Sequence, residues 1–223
     1  MQTTKITWTE KTWNPITGCK HGCYYCYAKQ ICNRFKTSFE PAFHPERLQQ
    51  PLKTKGSKMI FVCSMADLFG HWVPDFWIES VLSIVKQSSH TFQFLTKNPK
   101  RLKYFNPWPD NAWVGASAVH QVMLDDAIKH LALVKATVRF LSCEPMLEPM
   151  QLSKNNNINW LIIGACTGNK PFMPPREWVL NLTNNAKEQN IPTLYKDNLK
   201  WSDPLIEYPT QELSRCTEQI ALL

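Results

Sequence analysis

Three cysteines, Cys19, Cys23 and Cys26, fall within the stretch NPITGCKHGCYYCYAKQ (residues 14–30). Thiolates set this closely bind soft metals. A structural zinc needs four ligands, usually two C-x2-C pairs or an equivalent Cys/His set. Here a fourth ligand would have to be His21, Cys32 or His44, and none completes a standard knuckle. Three thiolates can also hold three irons of a cubane cluster and leave the fourth iron open for chemistry. The C-x3-C-x2-C spacing favours the cluster, with zinc as the alternative. The chain has eight cysteines and opens on MQTTKITWTEKTW, which has no apolar signal-like core. Metal or redox use in a cytoplasmic, reducing compartment is expected rather than disulfides.

Elements that could position such a loop alternate along the rest of the chain. Residues 59–65, 91–97, 112–118, 138–144, 160–166 and 192–197 are short runs rich in β-branched and aromatic residues. They suit strands buried on both faces of a parallel sheet. Helices are expected at 74–88, 98–105, 120–134 and 175–190, from Pro/Asp starts and helical spacing of apolar residues. One more strand is expected in KITWTEKTWN before the cysteines and a helix from about Tyr27 to Phe35 after them. The βα rhythm predicts an α/β fold, a partial (β/α)6-type TIM-like barrel with parallel strands, with about seven strands in all. A doubly wound open sheet is the alternative. The expected division is a barrel core over 1–198 and a tail over 199–223 packed on or beside it. No apolar run approaches the ~18 residues of a membrane span.

In parallel α/β folds the site gathers at the C-terminal strand ends. Those ends are polar here: Ser64 and Asp67, Thr96 and Lys97, Ser117, then Ser142, Cys143 and Glu144. The later ends carry Cys166 in GACTG, and Lys196 with Asp197. Ser64, Asp67 and Ser117 could equally cap the following helices. Glu144 precedes Pro145 and cannot easily cap, so it leans to function. Cys63, Cys143 and Cys166 lie in apolar runs and read as small buried hydrophobes.

The formal net charge is +7, and residues 1–60 hold ten Lys/Arg against three Asp/Glu. A basic segment around the cysteines suits a nucleotide or nucleic-acid partner, or is simply a solvated face. Trp8, Trp13, Tyr24, Tyr25, Tyr27, Phe35 and Phe39 load the same segment with rings that could stack bases. Trp8 and Trp13 serve equally well as barrel filling. A phosphate-binding α/β enzyme is discounted, because no Gly-rich phosphate loop is present.

The spacing Cys19-x3-Cys23-x2-Cys26, with Tyr25 before the last cysteine, resembles the radical S-adenosylmethionine (SAM) superfamily. WTEKTWNPITGC, HPERL, FVCSMADLF, TFQFLTKNP, VRFLSCEPML and WLIIGACTG look like the small phage-associated three-Cys-motif proteins, a radical-SAM-like family of unassigned substrate. The resemblance implies that Cys19, Cys23 and Cys26 bind a [4Fe–4S] cluster whose open iron chelates SAM. An external electron donor reduces the cluster, and a 5′-deoxyadenosyl radical abstracts a substrate hydrogen. It makes Tyr25 a neighbour of the adenine and puts Ser64 and Asp67 where the superfamily contacts the SAM amine. Ser117 and Glu144 become candidates for ribose or substrate contacts. Relatives carry Gly-Gly-Glu-Ser-Gly where this chain has GACTG, and Lys-Gln-Trp-Gly where it has KDNLKW. The expected function is a radical SAM enzyme modifying a nucleotide or nucleic acid, with help from a partner protein. The rival is a non-enzymatic nucleic-acid-binding protein stabilised by zinc or a cluster.

Overall fold

The computed structural model describes residues 1–168 and 170–209. Its strands and helices run in the order β1 (Gln2–Thr3), β2 (Lys11–Trp13), β3 (Ile16–Thr17), α1 (Tyr27–Arg34), β4 (Ala42–Phe43), β5 (Met59–Val62), α2 (Asp75–Lys86), β6 (Thr91–Thr96), β7 (Ala112–Ser117), α3 (Gln121–Leu131), β8 (Val138–Cys143), β9 (Trp160–Ile163), α4 (Arg176–Lys187) and β10 (Thr193–Tyr195). One sheet has the order β1-β2-β5-β6-β7-β8-β9-β10. From β2 to β10 every pairing is parallel, which makes seven parallel strands. The fold is thus the expected α/β partial barrel, and its edge strands do not pair with one another.

Two features depart from the expectation. β1 adds an antiparallel edge to β2, and β3 pairs antiparallel with β4 in a separate two-stranded sheet that brackets the cysteine loop and α1. The segment after β6 winds as a 3-10 helix, Pro99–Phe105, instead of an α-helix. Residues 205–208 return to the core: Leu194 bridges Ile206, and Tyr208 stacks on Trp160 at 5.4 Å. The remainder of the expected tail, 210–223, lies outside the described residues.

The helices form because their apolar residues repeat at three and four positions. Ile78, Val81, Leu82 and Val85 of α2 are buried, as are Leu124, Ala127, Ile128 and Leu131 of α3. These stripes cover one face of the sheet, where Ile60, Val62, Phe92, Val114, Leu141 and Ile163 meet them. The opposite, concave face is filled by a second cluster of Trp8, Phe61, Trp113, Phe140, Trp160, Ile162 and Leu194. Trp8 meets Phe61 at 4.7 Å between ring centroids, and Phe140 meets Trp160 at 5.6 Å. Trp8 and Trp13 are therefore core side chains, with relative exposures of 2% and 0%.

Along β7, β8 and β10 the concave-face positions pass from packed to polar, and β6 begins on the buried Gln93, whose amide donates to the Trp8 carbonyl at 3.0 Å. The series runs Trp113, Gly115, Ser117 in β7 and Val138, Phe140, Ser142, Glu144 in and after β8. In and after β6 it runs Gln93, Leu95, Lys97, and Leu194, Lys196, Asn198 from β10 onward. A period of two puts each series on one face. The apolar end becomes a floor and the polar end a rim.

Gly115 is glycine because Phe140 occupies its side-chain space: a Cβ there would lie 2.6 Å from the ring. Gly115→Ala is expected to destabilise by about 1–3 kcal/mol through overpacking. Adding Phe140→Leu should recover part of that loss, and urea unfolding of the single and double variants measures both.

Candidate functional site

A cavity of about 630 Å³ opens above that floor, at the C-terminal ends of the parallel strands. Cys19, Cys23, Cys26, Tyr25, Ser64, Asp67, Ser117 and Glu144 all line it. The topology thus gathers into one cavity residues that are up to 125 positions apart in the chain.

The cysteine loop is held at both ends. Gly18, at φ +84°, enters it with Glu40 pressed close; a Cβ there would lie 2.2 Å from the Glu40 carbonyl oxygen. The backbone N–H of Gly18 donates to Met65 at 3.0 Å, and that of Cys19 to Phe39 at 3.2 Å. At the far end Cys26 is the N-cap of α1, its Sγ accepting from the Lys29 N–H at 3.4 Å. The positive end of the helix therefore faces a sulfur that can carry negative charge. All three cysteines are free and partly accessible.

Asp67 lies beneath this loop and is buried. Its Oδ2 bonds to His21 Nε2 at 2.7 Å and accepts from the Lys97 N–H at 2.9 Å. Its Oδ1 accepts from Thr96 Oγ1 at 2.7 Å and the Phe69 N–H at 3.0 Å. Burial alone would raise its pKa. The His21 and Lys97 hydrogen bonds, the His21 charge and the Thr96 hydroxyl outweigh it, so the carboxyl lies below the ordinary Asp range. With four donors in place, Asp67 organises the wall instead of presenting a free carboxylate.

Ser64 is similarly committed. Its hydroxyl exchanges hydrogen bonds with the Asn14 amide at 3.2 Å, and its carbonyl accepts from the Tyr27 hydroxyl. Asn14 also accepts from the Met65 N–H at 3.0 Å. Cys63, which ends β5, has φ +59°, a left-handed turn that a non-glycine residue rarely adopts. That turn swings residues 64–67 over the cavity.

Burial pushes the Cys19 thiol up to about 11, with Asp67 and the neighbouring thiols adding to the rise and the His21 N–H opposing it. Tyr25 is also raised, first by burial and then by the charge and hydrogen bond of Cys23. Lys97 holds its ammonium 5.3 Å from the centre of the Tyr25 ring. Burial lowers its pKa, while Cys23, Asp67 and the other two thiols pull it back. A cation beside three thiols would offset part of the negative charge that the thiolate forms concentrate there.

The opposite wall is built from β7 to β10. Register places Ser117 beside Ser142, and both face the cavity. Glu144 pairs with Lys196 at 2.9 Å and accepts from the Asn198 amide at 3.0 Å. Asn198 also bridges to Ala165, accepting from its N–H at 3.0 Å and donating to its carbonyl at 3.1 Å. Cys166 is buried at the rim, its Sγ donating to the Lys170 carbonyl at 3.3 Å.

His21, Lys97, Ser142, Lys196 and Asn198 complete the site, and the motif resemblance assigns none of them a role there. Lys97, Ser142 and Lys196 already stand out in the sequence as polar strand-end residues, and His21 as a possible fourth ligand within the cysteine spacing. Asn198 carries no such signal.

Among the described residues no three His, Cys, Asp or Glu side chains converge as the ligands of one ion do. A single zinc at ~2.3 Å from each thiolate would draw the sulfurs close together. A multi-iron cluster, with one iron for each thiolate, accepts a wider triangle. Three soft donors beside a roomy cavity suit the cluster better.

The model of a family described as a protein of unknown function (DUF5131) matches residues 3–216, and the chain belongs to that family. No curated protein matches the sequence. Among solved structures, spore photoproduct lyase complexed with dinucleoside spore photoproduct matches with a TM-score of 0.53 and 10% identity. The match covers 99% of this chain and 74% of that one. A substituted form of that lyase with bound AdoMet and the same dinucleoside matches with a TM-score of 0.51 and 9% identity, at the same coverage. At that identity the likeness is one of fold.

A depressed native pKa makes the stability contributed by Asp67 complete above its unfolded value of ~3.9. That contribution drains away as pH falls through the native value. Asp67→Asn should cost about 2–3 kcal/mol at neutral pH by turning a charged acceptor into a poorer one. It should also flatten the acid limb of the stability curve. Denaturant titrations between pH 3 and 7 read both effects.

Proposed function

We propose that this member of the DUF5131 family is a radical SAM enzyme that acts on a nucleotide or nucleic-acid substrate. Its metal ligands are Cys19, Cys23 and Cys26. One observation carries the reading: three free thiols on a single loop face a 630 Å³ cavity at the strand ends of a partial barrel. The superfamily resemblance and a fold shared with a lyase solved with AdoMet and a dinucleoside support it. When bound, a [4Fe–4S] cluster and SAM supply one electron and a 5′-deoxyadenosyl radical for hydrogen abstraction.

The residues around the loop divide the remaining work. Tyr25, whose ring lies beside Lys97, offers an aromatic face for the adenine. Ser117 and Ser142 offer hydroxyls to a ribose or substrate. Glu144, oriented by Lys196 and Asn198, offers a carboxylate whose second oxygen has no hydrogen bond among the described residues. Ser64 and Asp67 support the wall through backbone and His21, and would hold the turn that the resemblance puts beside the SAM amine. The apolar floor of Trp8, Phe61 and Leu95 excludes water from the lower cavity.

Residues 1–198 form the catalytic core in this reading, followed by the C-terminal segment 199–223. The free cysteines suit a reducing, cytoplasmic setting, and no helix among the described residues is long and apolar enough to cross a membrane. An external reductant, and a partner protein that helps hold the substrate, complete the scheme. The second reading, a zinc-stabilised nucleic-acid-binding protein, rests on the same thiols but has no converging fourth ligand among the described residues.

Anaerobic reconstitution with iron and sulfide should give broad absorbance near ~400 nm. Reduction with SAM present should then release 5′-deoxyadenosine. Cys23→Ala should lose both signals while keeping its circular dichroism. One tightly bound zinc with intact SAM would instead establish the second reading.

A further inference from the structure

Three loops at the strand ends line the main cavity on one side and a second space on the other. The cysteine loop gives Tyr25 to the cavity and Tyr24 to the outside. The loop after β8 gives Glu144 and Leu147, and the loop after β9 gives Cys166 and Phe172. The outward residues, with Lys170 and Pro171, line a second open cleft of about 390 Å³. Tyr24 is 60% exposed and Phe172 36%. The Tyr24 ring meets Tyr25 edge-on at 5.0 Å, so one pair of rings separates the two spaces. Phe172 is tied by its backbone to the strand end. Its N–H and carbonyl pair with those of Cys166 at 3.1 and 2.9 Å. Among the described residues no carboxylate lies within ion-pair distance of Lys170.

We propose that this cleft binds the nucleobase adjacent to the one being modified, so that the substrate is an oligonucleotide and not a free nucleotide. The inference rests on the nucleic-acid reading above and adds a second base site to it. Exposed aromatic rings with an apolar wall accept any base by stacking. An unpaired lysine beside them matches the phosphate that links that base to its neighbour. Because the same three loops build both spaces, a base seated outside sets the position of the next nucleotide toward the cavity. A purely apolar occupant would leave Lys170 without a counter-charge, and a free nucleotide would leave the rings uncovered.

The test measures affinity of the reconstituted, SAM-loaded protein for fluorescently labelled single-stranded DNA and RNA, with mononucleotides as competitors. Tyr24→Ala and Phe172→Ala should each weaken oligonucleotide binding about tenfold, whereas Phe172→Trp should preserve it. Mononucleotide affinity should be unchanged in all three. Lys170→Ala should lower the slope of log affinity against log salt by about one phosphate contact. Iron and sulfide content must match the native protein, because Tyr24 adjoins Cys23. The DNA and RNA arms decide which polymer is preferred. If oligonucleotides bind and the alanine variants bind as tightly as the native protein, the cleft is not a base site and only this inference falls. If the alanine variants lose mononucleotide binding equally, the rings belong to the main site and the inference also falls. If no oligonucleotide binds, the nucleic-acid reading falls with it.

Discussion

The buried carboxylate of Asp67 is the constraint on which the site depends. It joins the cysteine loop through His21, the turn after β5 through Phe69, and the end of β6 through Thr96 and Lys97. Burying a carboxylate is costly unless its oxygens are filled, and here four donors fill them. Each donor comes from a segment that must already be in place. The bond set therefore forms only when the loop, the turn and the strand end have all reached their native positions. Such a network favours one arrangement over several similar ones, and so fixes the loop that carries the three cysteines.

The left-handed Cys63 and the closely pressed Gly18 fit this picture. Both put backbone where ordinary residues or side chains would resist it. Two backbone hydrogen bonds offset the strain at Cys63: its own N–H reaches the Trp13 carbonyl at 2.8 Å, and its carbonyl accepts from Ala66 at 3.0 Å. Cys63 reads in the sequence as a small apolar residue at the end of a strand, and it is one. Its less visible task is to turn the chain.

Most of the barrel is legible in the sequence because parallel strands buried on both faces leave a simple mark: apolar runs at regular intervals, separated by helical spacing. The residues between α1 and β5 carry no such rhythm, and nothing on either side of the cysteines signals the pairing of β3 with β4. Two-residue strands are too short for any periodicity. The site is legible where strand-end position carries meaning, as for Ser117 and Glu144. Roles are harder to read than places. In the sequence Asp67 looks available as a carboxylate, but three of its four partners come from residues 29 or more positions away or from the facing loop. Only tertiary contact shows that its oxygens are taken. Tyr24 and Tyr25 are neighbours of the same type, and the backbone alone decides that one faces in and the other out.

The gap between the barrel's two edges is bridged by side chains, not by a hydrogen-bonded ladder. At its base Ile6, Trp8 and Tyr208 pack across it, and the Tyr208 hydroxyl reaches the Thr7 carbonyl at 3.3 Å. The girth of the barrel is consequently a matter of side-chain volume. A change of size at any of these three positions can spread or narrow the mouth without giving up a strand pairing. Divergence among family members in what they admit can therefore arise at the bottom of the molecule, with the cysteine loop untouched.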